Sequence, residues 1–205
     1  MFIQVIQGRT SDAAGLQAAI DRWERDIAPG ADGWLGSTGG VTEDGRAIAV
    51  VRFESEESAR RNSSRPEQDA WWRETEKLYD GGVTFKESSD VVVDMQGDPD
   101  RAGFVQIMQG RTSDPARARQ LMTQDPDMWA KFRPDVLGSV EALHDGGAYT
   151  MVLYFTSEAE AREGERKAVP TELQATMDEM EKLTVEQPEF FDLKEPVLRS
   201  APSTT

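Results

Sequence analysis

Residues 2–12 (FIQVIQGRTSD) return as residues 104–114 (FVQIMQGRTSD), identical at eight of eleven positions, with Ile, Val and Met exchanged at the other three. The offset of 102 persists: Leu35-Gly36-Ser37 matches Leu137-Gly138-Ser139, and Phe53 before Glu54-Ser55-Glu56 matches Phe155 before Thr156-Ser157-Glu158. It grows to 105 where Glu76-Lys77-Leu78 matches Glu181-Lys182-Leu183. Solenoid repeats run about 20–50 residues, so a period this long means a duplicated domain. The 205 residues are therefore two copies of one unit.

Each copy reads as β-α-β-β-α-β. Phe2 to Gln7 is rich in Ile, Val and Phe and reads as a strand that Gly8 ends. Ser11 or Asp12 can cap a helix whose Leu16, Ile20, Trp23 and Ile27 fall on one face. In the second copy Ser113-Asp114 takes the cap, and Pro115 the first turn. Trp34 to Val41 and Ala47 to Phe53 form a hairpin around the turn TEDGR, with Tyr149 to Phe155 as the later counterpart. A helix from Ser55 or Glu56 breaks near Pro66 and resumes to Tyr79. Val83 to Phe85 and Val91 to Val93 supply final strand material. This order is the split βαβ, or ferredoxin-like, unit of the α+β class. One such unit leaves a sheet face bare, so the two halves are expected to pack sheet to sheet as one pseudo-twofold α/β barrel. Repeat 1 is expected over 1–93, a linker over 94–103, repeat 2 over 104–193, and a flexible C-terminal tail over 194–205.

Composition excludes much. The net charge is -15, with 11 basic against 20 acidic residues in 1–100 and 12 against 18 thereafter. Such a surface repels nucleic acid and anionic lipid. There is no cysteine and a single histidine, which removes disulfides, thiolate chemistry and a multi-histidine metal site within one chain. No apolar run approaches the roughly 20 residues of a membrane span, and the N-terminus lacks a secretory pattern. The expectation is a cytoplasmic protein with no metal and no cofactor, either a monomeric pseudo-dimer or a homodimer.

The polar side chains of strand one (Gln4, Gln7), the Gly33 to Ser37 strand, the junction Phe53 to Ala59 and the aromatic helix Asp69-Ala70-Trp71-Trp72 together resemble the antibiotic-biosynthesis-monooxygenase-like group of dimeric α/β-barrel proteins, here in tandem. That resemblance covers nearly the whole chain twice. It implies a small-molecule protein: a cofactor-independent oxygenase on an aromatic or polyketide-like substrate, or a non-catalytic ligand-binding or assembly protein. Haem-degrading relatives use a strand-one Asn, a helical Trp and a helical His. Here strand one offers Gln7 and Gln109, and no predicted helix carries a His. Cofactor-free relatives use Asn, Trp and Arg, for which Asn62, Trp71 or Trp72, and Arg52 are available. The catalytic candidates are thus Arg52, Asn62, Trp72 and the lone imidazole His144. The binding candidates are Gln4, Gln7, Gln106, Gln109 and Tyr154.

Several of the candidates also have a plainer reading. Gln4 and Gln106 can pair with each other or with backbone, since a buried unpaired amide costs about 1–3 kcal/mol. Arg52 can sit in an ion pair and Tyr154 at a rim. His144 can be a solvated turn residue beside Asp145-Gly146-Gly147, and Trp72 can be core. Trp71 and Trp72 cannot share a helix face, so one packs inward and the other lines an edge. The repeated Arg-Thr-Ser-Asp can bind an anion at a helix N-terminus, or cap that helix with its Arg paired to an acid.

Overall fold

The computed structural model describes residues 1–201. In chain order the first repeat runs β1 (Phe2–Arg9), α1 (Ala13–Asp26), β2 (Trp34–Val41), β3 (Arg46–Phe53), α2 (Glu56–Ser63), α3 (Pro66–Thr75), β4 (Thr84–Ser88) and β5 (Asp90–Met95). The second runs β6 (Phe104–Thr112), α4 (Pro115–Thr123), α5 (Pro126–Phe132), β7 (Val136–Leu143), β8 (Ala148–Phe155), α6 (Glu158–Glu165), α7 (Thr171–Leu183), β9 (Thr184–Leu193) and β10 (Val197–Ser200). Among the described residues no helix is long and apolar enough to cross a membrane.

The chain forms two α+β units. Unit 1 is Met1–Val91 together with the stretch from Glu195, and its sheet runs β10-β2-β3-β1-β4. Unit 2 is Val92–Lys194, with a sheet in the order β5-β7-β8-β6-β9. Each sheet is therefore a four-stranded ferredoxin-like sheet plus one edge strand taken from the end of the other repeat. Two segments behave differently from their composition. The stretch from Asp94, rich in Gly, Asp and Pro, begins inside β5, and the amides of Gln96 and Gly97 bond the Leu137 carbonyl at 2.9 and 2.8 Å. The stretch from 194, expected to fray, forms β10 in register with β2. Short edge strands carry little apolar periodicity, and their partner strand decides their conformation. Residues 202–205 lie outside the described residues.

Local chemistry repeats with the fold. Asp12 and Asp114 cap their helices, accepting from the amides of Gly15 (2.8 Å) and Arg117 (3.0 Å). Ser55 and Ser157 do the same for α2 and α6. In both copies the repeated arginine bonds a hairpin carbonyl: Arg9 donates to the Asp44 carbonyl, and Arg111 to that of Gly146 at 2.6 Å, while Arg111 also pairs with an acid, Glu186, at 3.6 Å. It ties the end of the first strand to the following β-hairpin.

On the helix-covered face of unit 1, Phe2, Ala31, Trp34, Phe53 and Ala59 form a buried cluster on which Trp23, Val51 and Ala201 pack. The counterpart in unit 2 is Phe104, Phe155 and Ala161.

Candidate active-site cavity

Unit 1 holds a cavity of about 240 Å³ between its sheet and helices α1 to α3. Strand alternation puts Gln4 and Ile6 of β1 and Ala49, Val51 and Phe53 of β3 on its floor. Helical periodicity puts Leu16, Ile20 and Trp23 of α1 above them.

The wall is a continuous series of rings. Trp34 meets Trp23 edge-on at 5.0 Å, Trp23 meets Trp71 at 6.4 Å, and Trp71 meets Trp72 at 6.1 Å. Trp72 in turn meets Phe85 at 5.3 Å and Tyr79 at 6.3 Å. The adjacent tryptophans divide as their helix spacing requires. Trp71 turns to α1 and donates to the Ala19 carbonyl at 2.9 Å, while Trp72 turns to Phe85 on β4. Both nevertheless line the cavity.

Polar groups are few and placed by one another. Gln68 accepts from Trp23 Nε1 at 2.7 Å and from Asn62 Nδ2 at 3.3 Å, and Asn62 Oδ1 accepts from Arg65 Nη1 at 3.0 Å. Gln4 donates to Glu87 on β4 at 2.8 Å. Trp34 is 7% exposed, and its Nε1–H is buried with no partner. An unpaired buried donor costs about 1–3 kcal/mol. Burial pushes the Tyr79 hydroxyl up to about 12, so it stays protonated at neutral pH. Asp69 is the carboxylate in the wall and pairs with Arg73 at 2.8 Å.

Three of the sequence candidates, Gln4, Asn62 and Trp72, meet in this cavity. Arg52 and Gln7 do not line it, for each lies one residue out of phase with the floor residues of its strand. Gln106 repeats the Gln4 arrangement in unit 2, donating to Asp192 at 2.8 Å. The two amides thus pair with carboxylates on their own edge strands, not with each other. Gln109 and His144 converge on buried Thr150, whose Oγ1 lies 3.2 Å from Gln109 Nε2 and 3.0 Å from His144 Nε2. His144 is therefore a bonded residue beside the β7–β8 turn. Tyr154 is 1% exposed on β8. Sequence reasoning passed over Trp23, Trp34, Gln68, Tyr79 and Val197 as site residues. Trp23 belongs to a helix face and Trp34 to a strand in the sequence pattern, and both placements are compatible with lining a cavity.

Unit 2 is built differently at the same place. Asn62, Trp71 and Trp72 correspond to Gly164, Thr176 and Met177, and Ala31 corresponds to Arg133. A Cβ on Gly164 would stand 2.4 Å from Arg133 Nε, so the missing side chain admits the arginine. Arg133 lies 5.4 Å from the centre of the Phe155 ring and Arg162 lies 5.2 Å from that of Phe104, one cation on each ring of the central pair.

No family model and no curated protein matches the chain. Solved structures do. A proposed monooxygenase of Lactobacillus acidophilus NCFM superposes with a TM-score of 0.74 over 97% of this chain and 96% of its own, at 9% identity. A proposed monooxygenase of Fusobacterium nucleatum gives 0.73 over 97% and 94%, at 8% identity. An anthrone oxidase-like protein gives 0.69 over 98% and 91%, at 8% identity. The chain has the antibiotic-biosynthesis-monooxygenase-like fold. Identities this low carry fold and not activity. The superposition extends over nearly the full length of each of these three structures.

Proposed function

We propose that unit 1 binds a flat aromatic small molecule in its helix-side cavity and that the protein oxygenates it without a cofactor. The observation that carries this reading is the ring-lined cavity, walled by Trp23, Trp34, Trp71, Trp72, Tyr79 and Phe85. Rings favour offset and edge-to-face contacts with other rings. With Tyr79 held protonated, the wall offers hydrogen-bond donors to an oxyanion.

Donors of this kind favour a substrate that ionises readily, such as a fused-ring methylene conjugated to a carbonyl. Its carbanion can reduce O₂ and bond to it. Loss of water then leaves a ketone: CH₂ + O₂ gives C=O + H₂O, with the two hydrogens leaving in the water. Among the described residues the wall has no imidazole, and the carboxylate in it, Asp69, is ion-paired, so the acidity must come chiefly from the substrate. The same observation favours a second reading, binding without turnover.

Thermal-shift screening of fused-ring phenols and ketones, followed by oxygen-electrode assays on each ligand found, tests both. Stabilisation with oxygen uptake supports the oxygenase, and stabilisation without uptake supports the binding protein. No stabilisation by any aromatic ligand removes both.

A further inference from the structure

The cavity of unit 1 has one wall that its own repeat does not supply. β10 lies at the open edge of β2, paired over four residues, Val197↔Gly39 to Ser200↔Gly36. Val197 lines the cavity opposite Gly39. Gly39 cannot carry a side chain, because a Cβ there would stand 2.6 Å from the Ile48 carbonyl oxygen. With Ser37 and Ala49 also in the floor, the sheet is low here, and Val197 is the branched side chain that closes this end.

The segment is pinned at alternate residues. Arg199, on the same face as Val197, reaches helix α1 and pairs with Asp21 at 2.8 Å and with Glu24. Ala201 packs on the Phe2, Trp34 and Phe53 cluster, and its amide bonds the Leu35 carbonyl at 3.2 Å.

We propose that Val197 is a specificity-determining residue of the unit 1 cavity and that Arg199 is its positioning residue. The length of ring system the cavity accepts is then set by a strand encoded after the second repeat. This rests on the reading that the cavity takes aromatic molecules.

The test uses the full chain and two probes, the two-ring 2-naphthol and the three-ring 1-hydroxyanthraquinone, titrated by tryptophan fluorescence quenching. Val197→Phe should weaken the three-ring probe about ten-fold or more and the two-ring probe little, because one bulky group at a pocket end discriminates by size. Val197→Ala, which adds no bulk, should shift the ratio of the two dissociation constants the other way. Arg199→Ala should follow Val197→Ala in direction, and Arg199→Lys should restore the ratio. A purely structural Arg199 would weaken both probes together and leave the ratio fixed. If the wild type binds both probes and the ratio stays fixed across the Val197 variants, this inference falls and the aromatic reading stands. If the wild type binds neither probe, both fall.

Discussion

Arg60 and Arg162 occupy the same position in the two repeats and both pair within their own helix, but Arg162 also bonds beyond it. Arg60 pairs with Glu56 on its own helix and is largely exposed. Arg162 pairs with Glu158 at 3.7 Å and Glu165 at 2.9 Å on its own helix, and in addition lies over the Phe104 ring and pairs with Asp192, the carboxylate that also holds Gln106. In unit 1 the matching Gln4, which donates to Glu87, lines the cavity, and among the described residues no guanidinium is seen over the Phe2 ring. Duplication kept the amide–carboxylate pair in both copies and let the neighbouring arginine separate them.

That difference predicts unequal stability costs. Exposed ion pairs contribute about 0–1 kcal/mol, so Arg60→Ala should change unfolding free energy by less than about 0.5 kcal/mol. Arg162→Ala removes a cation–π contact and a partner of a half-buried carboxylate, and should cost about 1–2 kcal/mol. Urea unfolding of the two variants side by side checks this. Equal losses would contradict the assignment of Arg162 to the Phe104 ring and Asp192.

The two units should also differ in occupancy. With Thr176, Met177 and Gly164 in place of Trp71, Trp72 and Asn62, and with Arg133 and Arg162 over the phenylalanines, unit 2 lacks the ring wall. Titration calorimetry with any aromatic ligand should therefore give one site per chain. Trp72→Ala, which removes the ring touching both Tyr79 and Phe85, should weaken that site about ten-fold or more. A stoichiometry of two, or unchanged affinity in Trp72→Ala, would place the ligand elsewhere.

A third expectation concerns Gly164. Since a Cβ there would meet Arg133 Nε at 2.4 Å, Gly164→Ala must displace a guanidinium that is bidentate to Asp135 at 3.0 and 2.7 Å. Gly to Ala inside a helix ordinarily stabilises by about 0.5–1 kcal/mol. Here the sign should reverse, with a lowered thermal midpoint. A raised midpoint would show that Arg133 moves aside freely.

Much of the architecture was legible because it rests on local rules. Aspartate and serine caps, the hairpin turn and the two copies of β-α-β-β-α-β follow from residues within a few positions of each other. The site was legible only where chemistry and periodicity coincide. Gln4 stood out as an amide on an apolar strand face, and Asn62 and Trp72 through the family resemblance. Arg52 fell outside the cavity because the strand pattern shows that two faces exist but not which one the helices cover. Trp23 and Trp34 read as core because their periodicity is that of core residues, and a cavity is a shortage of packing that no one-dimensional pattern records. Val197 was out of reach for a different reason: its contact with Gly39 depends on a strand pairing 158 positions away in sequence.

Tyr79 gives the last prediction, one with a definite sign. Burial raises its hydroxyl to about 12 from the ordinary 10. Below pH 10 both the folded and the unfolded chain keep the proton, and Tyr79 gives stability no pH dependence. Between pH 10 and 12 the unfolded chain gives up the proton first, so stability falls as pH rises, by about 2–3 kcal/mol in all. Tyr149, raised by burial and then by Glu141, adds a smaller slope of the same sign. Tyr79→Phe should flatten most of this decline while leaving Tyr149's share. Urea unfolding of wild type and variant from pH 9 to 12, with tyrosinate absorbance followed in the folded state, measures it. If the two proteins lose stability in parallel across that range, the Tyr79 hydroxyl is not held in a water-poor wall, and its place as a neutral donor to a ligand oxyanion fails with it.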